Sequence, residues 1–335
     1  MSAGGVYLES YLAPLAPWLE REDVADVLVN RPGEVWVETI DGVMSAAAAP
    51  DLTEQTLIRL ARQIAAASHQ AVNSEQPLLS ARLPSGARVQ IAAPPATRGG
   101  LVMAVRKHAI ADLSLGDMAA VGLFAPGASH SSRMAADDAA LEALHARGDQ
   151  QGFLRTAVLA RKTIVISGGT SSGKTTLLNA LIKEIGDTER LIAIEDTPEI
   201  RLVHPNSAGL VAARSPLGEA LVDADDLLGA ALRLRPDRIL LGELRGREAF
   251  SFLRAVNSGH PGSMTTVHAD HPAGALDQIA LLAMTSGVDL GWDKLRSYIG
   301  QVVDVVVQLE RAAGVRRVSE IAFQPHVRRI PGNGA

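Results

Sequence analysis

The 335-residue sequence predicts an α/β protein, with a C-terminal domain built on a parallel sheet and a smaller α+β domain before it. Three observations lead there. A β-branched run, Thr163 to Ser167, enters a glycine-rich turn and then a helical pattern. Further apolar strands at Leu191–Ile194, Ile239–Leu241 and Met264–Val267 alternate with helical segments, the order of a parallel sheet. The first third instead shows short strands grouped around one amphipathic helix. With 47% hydrophobic residues the chain can fill two cores.

The N-terminal domain is predicted over residues 1–110. Val24 to Val43 reads as short strands divided by turns at Arg31-Pro32-Gly33 and Asp41-Gly42. Asp51 to Ala67 is a helix with Leu57, Leu60, Ala61, Ile64 and Ala65 on one face, and Asp51 with Glu54 forms its N-terminal cap. Strands resume at Arg88–Ala92 and Leu101–Arg106. Residues 111–150 are expected to be a linker holding one or two helices, the clearest between Ala135 and Ala146. Residues 151–335 form the second domain.

Gly168-Gly169-Thr170-Ser171-Ser172-Gly173-Lys174-Thr175 matches the phosphate-binding pattern G-x-x-x-x-G-K-[ST] at a strand-to-helix junction, where such a loop belongs. Its glycines let successive N–H groups converge on phosphate oxygens, reinforced by the positive end of the following helix. The expected binding segment is Gly169, Thr170, Ser171, Ser172, Gly173, Lys174, Thr175 and Thr176, with Lys174 reaching the terminal phosphates and Thr175 ligating Mg²⁺.

Acidic residues stand where hydrolysis needs them. Asp237-Arg238-Ile239-Leu240-Leu241-Gly242-Glu243 is an apolar strand ending in a carboxylate. Gly242 takes the place where many P-loop enzymes carry aspartate, which leaves Glu243 to act through a metal-bound water, as base, or both. The strand Leu191–Ile194 ends in Glu195-Asp196, a second acidic pair at the carboxyl edge of the sheet. A glycine-rich turn at Gly259–Gly262 leads into a strand ending at His268, placed to bond a γ-phosphate or attacking water, whereas His260 reads as a loop organiser.

Together these residues resemble the hexameric traffic ATPases of bacterial type IV secretion and conjugation, within a superfamily that includes type II secretion and type IV pilus motors. The likeness rests on the P-loop, the acidic box Glu195-Asp196-Thr197-Pro198-Glu199, the run Arg238 to Gly246 and the histidine box Gly259 to His268. It extends to Val29–Trp36 and Leu101–His108, and weakens in the linker and after Gly314. The resemblance implies a RecA-like P-loop ATPase domain in a homohexamer, with ATP and Mg²⁺ bound between the two domains. It gives Glu243 and Glu195 charge of metal and water, without saying which is the principal base, and makes His268 a γ-phosphate sensor. Arg88 and Arg106 look like the N-terminal arginines that reach the nucleotide in this family, and Arg245 is placed to pair with the acidic box. An arginine on a separate domain stabilises transition-state charge only on closure, which makes hydrolysis conditional on conformation. The implied partners are inner-membrane secretion-channel components and companion secretion ATPases. The implied location is cytoplasmic, peripheral on the inner membrane.

Composition narrows the rivals. A net charge of −5 and 3% aromatic residues offer little for stacking along a nucleic-acid strand, so direct nucleic-acid binding is not indicated. The absence of cysteine rules out the four-cysteine zinc module common in type II secretion and pilus motors. The start lacks a signal-peptide pattern, and no apolar run reaches membrane-spanning length. A tight-adherence or type IV pilus assembly ATPase is the nearest alternative. A hexameric nucleic-acid translocase, a small-molecule kinase and a non-hydrolysing nucleotide switch are more distant.

Overall fold

The computed structural model describes residues 3–107, 114–120, 122–124, 130–214 and 220–325. The N-terminal domain begins with α1 (Ala3–Leu12) and a single turn, α2 (Ala16–Leu19). Strands β1 (Val24–Val29), β2 (Gly33–Thr39) and β3 (Met44–Ala49) precede α3 (Glu54–Ala67), and β4 (Leu78–Arg82), β5 (Arg88–Ala92) and β6 (Val102–Arg106) follow it. They form one antiparallel sheet in the order β3-β2-β1-β6-β5-β4.

The predicted face of α3 is the buried one: Leu57, Leu60, Ala61, Ile64 and Ala65 pack on Val27, Val35, Ile91 and Val105. Its cap differs from expectation. Thr53 Oγ1, not Asp51, accepts the Thr56 amide at 3.1 Å, because Thr53 is the residue directly before the first helical turn. The other face of the sheet is covered as well. Leu28, Trp36, Val102 and Ala104 join a core with Ala208, Leu210 and Leu227 of the C-terminal domain. Burial on both faces is why β6 reads as an unbroken apolar run rather than an alternating one.

Between the sheets lie α4 (Leu115–Ala120), α5 (His130–Ala146) and α6 (Gln150–Leu159). The helix expected over Ala135–Ala146 starts earlier, and part of the expected linker falls outside the described residues. Helix α5 does more than connect: Leu141 enters the second core beside Phe153 and Val158, and Asp138 pairs with buried Lys162 at 2.5 Å.

The C-terminal domain runs β7 (Ile164–Gly168), α7 (Lys174–Ile182), β8 (Leu191–Glu195), β9 (Ser207–Val211), then a short pair β10 (Ala213–Arg214) and β11 (Leu221–Val222). It continues through α8 (Ala224–Ala231), β12 (Arg238–Leu241), α9 (Glu248–Asn257), β13 (Met264–Val267), α10 (Pro272–Met284), α11 (Trp292–Val302), β14 (Val305–Ala312) and β15 (Val315–Phe323). Seven strands form a sheet in the order β15-β14-β7-β13-β12-β8-β9, parallel except for β15. This order decides the site. Val267 lies beside Ser167, and Leu241 beside both Thr265 and Ile194, so Gly168, His268, Gly242 and Glu195 follow in a row along one carboxyl edge. Among the described residues no helix is long and apolar enough to cross a membrane.

The domains meet through polar clamps around the apolar contact. Arg235 pairs with Glu38 and with Asp237. Wholly buried Arg190 donates to Asn30 Oδ1 at 2.6 Å, Asn206 Oδ1 at 2.7 Å and the Leu234 carbonyl at 2.8 Å. Burial pulls its guanidinium down to about 9, which still leaves it charged at neutral pH.

Candidate active site

The turn after β7 places left-handed backbone at Gly168 (φ +154°), Ser171 (φ +61°) and Gly173 (φ +101°). One of these positions falls to Ser171 rather than Gly169, so the concavity depends on a strained serine as well as on glycines. Gly173 caps α7, and Lys174 opens it with its side chain folded back into the loop. Lys174 Nζ donates to the carbonyls of Gly168 at 2.8 Å and Gly169 at 3.1 Å, and lies 3.3 Å from His268 Nδ1. Burial lowers the Lys174 pKa, and the charge of Glu243 partly opposes that fall. Thr170 is exposed, Ser172 is buried with its hydroxyl oxygen unpartnered, and Thr176 sits in the first turn of α7.

From Lys174 a continuous chain crosses the carboxyl edge. His268 Nε2 lies 3.1 Å from Glu243 Oε1, and Glu243 Oε2 accepts from Arg245 Nη2 at 3.0 Å. Arg245 Nη1 then reaches Asp196 Oδ2 at 2.9 Å, the pairing with the acidic box expected from sequence. An ammonium on Nδ1 makes that nitrogen an acceptor, so Nε2 carries the proton and donates to Glu243. Bonded first to Glu243 and then to Asp196, the Arg245 guanidinium has its pKa raised.

Glu195 lies elsewhere in the network. It is buried, and its Oε1 accepts the amides of Glu199 at 2.8 Å and Ile200 at 2.7 Å. Its other oxygen pairs with Arg98 of the N-terminal domain. Glu199, inside the acidic box, accepts instead from Thr175 Oγ1 at 3.0 Å.

A pocket of about 180 Å³ opens here, with five carboxylates (Glu195, Asp196, Glu199, Glu243, Glu248) facing Thr175 and one arginine, Arg245. That excess of oxygen ligands suits a hard divalent cation.

Arg88 and Arg106 are not at this pocket. Directly opposed across β5 and β6, they line a separate cleft of about 560 Å³ with Arg82 and Arg233. Arg106 pairs there with Asp26 at 2.9 Å. His260 donates from Nδ1 to the Pro236 carbonyl at 2.9 Å and accepts the Ser263 hydroxyl on its own carbonyl, an organiser of its turn.

Sequence reasoning passed over two contributors. Arg98 follows Pro94-Pro95 in a segment without strand pattern, and its partner is remote in sequence. Arg316, on β15, donates to the Ser171 carbonyl at 3.1 Å and packs over Gly173. Its only sequence signal was a basic residue on a hairpin that periodicity did not reveal.

Comparison with known proteins agrees with this fold. The family model described as type II/IV secretion system protein matches residues 9–324. The type IV secretion system protein VirB11 of Bartonella henselae is 39% identical over 332 residues, covering 95% of this chain and 93% of the relative. PtlH, a type IV secretion system protein of Bordetella pertussis, is 41% identical over 325 residues, covering 95% of each. The crystal structure of the VirB11 ATPase from the Brucella suis type IV secretion system, in complex with sulphate, superimposes with a TM-score of 0.90 at 38% identity, covering 97% of both chains. An α/β ATPase fold with an N-terminal domain, a P-loop at the strand edge and end-to-end similarity at this level lead to one conclusion: the chain belongs to the type II/IV secretion system protein family.

Proposed function

We propose that this chain hydrolyses ATP with Mg²⁺ and works as a hexameric ring motor of a type IV secretion system, driving or gating substrate transfer and pilus biogenesis. The observation that carries the reading is the bonded chain Lys174–His268–Glu243–Arg245–Asp196 beside the P-loop. The relatives named above favour the secretion branch over the pilus-assembly one.

The loop amides of Gly169 to Thr176 cradle the phosphates, and Lys174 exchanges its carbonyl contacts at Gly168 and Gly169 for phosphate oxygens. Thr175 and Glu243 would hold Mg²⁺, which supplies charge neutralisation at the terminal phosphates when bound. Glu243 orients the attacking water and takes its proton. His268 Nε2, 3.1 Å from Glu243 Oε1, turns from that oxygen toward the γ-phosphate when the site is filled, which frees the oxygen to meet the attacking water. Glu195, buried and tied to two backbone amides and Arg98, is a weaker choice as base than Glu243, which is more exposed and bonded, among the described residues, only to the side chains of His268 and Arg245. Arg88 and Arg106, away from their own chain's pocket, complete the site of a neighbour in the ring.

The protein would act at the cytoplasmic face of the inner membrane, held there by secretion-channel components and companion secretion ATPases. Lys174→Ala tests the core of the reading. Phosphate release should fall to background while circular dichroism and thermal unfolding stay close to wild type, and undiminished turnover in a folded variant overturns the assignment.

A further inference from the structure

The acidic loop after β8 is held from both sides. On one side it rests on α7: Thr175 Oγ1 donates to Glu199 Oε2 at 3.0 Å, Asn179 Nδ2 to the Glu199 carbonyl at 3.1 Å, and the Arg201 amide to Asn179 Oδ1 at 2.6 Å. On the other side stands a single residue of the N-terminal domain. Arg98 pairs with Glu195 and donates from Nη1 to the Ile200 carbonyl at 2.6 Å, gripping both ends of the turn.

Arg98 is itself anchored. Its amide donates to the Gly209 carbonyl at 3.0 Å, the Val211 amide donates to the Ala96 carbonyl at 3.0 Å, and Thr97 bridges Leu210. Residues 96–98 therefore add a short antiparallel segment to the open edge of the C-terminal sheet. Gly209 makes the approach possible, since a Cβ there would lie 2.4 Å from Arg98 Cδ.

We propose that Arg98 is a positioning residue for hydrolysis: it transmits the placement of the N-terminal domain through Glu195 and Glu199 to Thr175 on the P-loop helix. Glu195 is the hub of that link. One oxygen answers to the N-terminal domain and the other sets the loop amides, so a shift of Arg98 moves the carboxylate that Thr175 meets. Motion of the N-terminal domain is then felt at its own chain's nucleotide site without Arg98 touching nucleotide. The link rests on the role proposed above for Thr175.

Hydrogen exchange on the nucleotide-free full chain reads the link directly, because the Glu199 and Ile200 amides are protected by Glu195. In Arg98→Ala these two amides should exchange at least about tenfold faster, and kcat should fall by about ten- to a hundredfold with KM for ATP within about threefold. Arg98→Lys, which keeps a charge for Glu195, should recover part of both. Glu38→Ala, which removes one ion pair between the domains but leaves their apolar contact and the Arg98 segment in place, is the control and should leave loop exchange and kcat close to wild type. Unchanged loop exchange in Arg98→Ala, or equal loosening in Glu38→Ala, overturns the proposal. The exchange measurement needs no nucleotide, so it stands apart from any failure of the assignment of Glu243 or Thr175.

Discussion

At the level of single residues, the proposed chemistry rests on Glu243, with His268 bonded beside it. Glu243→Gln keeps the shape and the arginine contact but removes a basic oxygen. ATP binding should stay within a few-fold of wild type while turnover falls by about 10²- to 10⁴-fold, measured by equilibrium binding and single-turnover phosphate release. An active Gln variant would overturn Glu243 as base and move the catalytic weight to Glu195, whose oxygens would first have to leave Arg98 and two amides. The terminal acid of β12 and the Arg245 pairing were legible because motif spacing places them. The engagement of Glu195 was not, because its partner is a distant arginine in a segment with no periodicity. His260 supplies a pH test. Burial is the largest influence on it and lowers its pKa below the ordinary 6.5, with Arg235 and Arg106 adding to the fall and the Pro236 carbonyl and Asp237 opposing it. The unfolded chain therefore binds more protons just below pH 6.5, and stability is lost as pH drops through that region toward the folded pKa. His260→Gln should flatten this acid limb in denaturant unfolding at successive pH values, with the two proteins' pH slopes converging above pH 7.5.

Strands and helices that depend on local pattern were readable, and those that depend on packing partners were less so. The four expected strands β7, β8, β12 and β13 appear within a residue of expectation because continuous apolar runs suit a sheet covered on both faces, whereas the parallel strand β9 was not foreseen. The hairpin β14–β15 was not foreseen. Its Val305–Leu309 half is buried against β7, while β15 is largely exposed and carries no sustained alternation. That unforeseen hairpin constrains the P-loop. A Cβ on Gly168 would lie 2.6 Å from the Leu309 carbonyl oxygen and 2.6 Å from Ser172 Oγ, at a φ that side chains avoid. Gly168→Ala should cost about 1–3 kcal/mol and lower the melting temperature by on the order of 5 °C, with loss of ATP binding. A Cβ on Gly169 meets nothing within 4 Å, so Gly169→Ala should melt near wild type, and differential scanning calorimetry of the pair checks the distinction.

On the scale of the whole molecule, the two arginines expected at the nucleotide stand apart from the pocket within one chain. The sequence resemblance assigns Arg88 and Arg106 to the nucleotide, yet in this chain they line a cleft with Arg82 and Arg233, apart from the pocket that holds Thr175 and Glu243. Sequence could not settle this, because which domain faces which P-loop depends on the path of the connecting segment. Mixing separates the two cases. Lys174→Ala removes the phosphate lysine and an Arg88→Ala/Arg106→Ala double variant removes the distant arginines, so each should be inactive alone. If arginines act on a neighbour's nucleotide, random co-assembly at equal amounts leaves about one quarter of sites with an intact P-loop facing intact arginines, and turnover should reappear at about that fraction. If they act on their own chain's nucleotide, every subunit in the mixed ring carries one defect and turnover stays at background. Phosphate release from rings refolded together, with size-exclusion chromatography showing that both variants enter the same assembly, distinguishes the two outcomes.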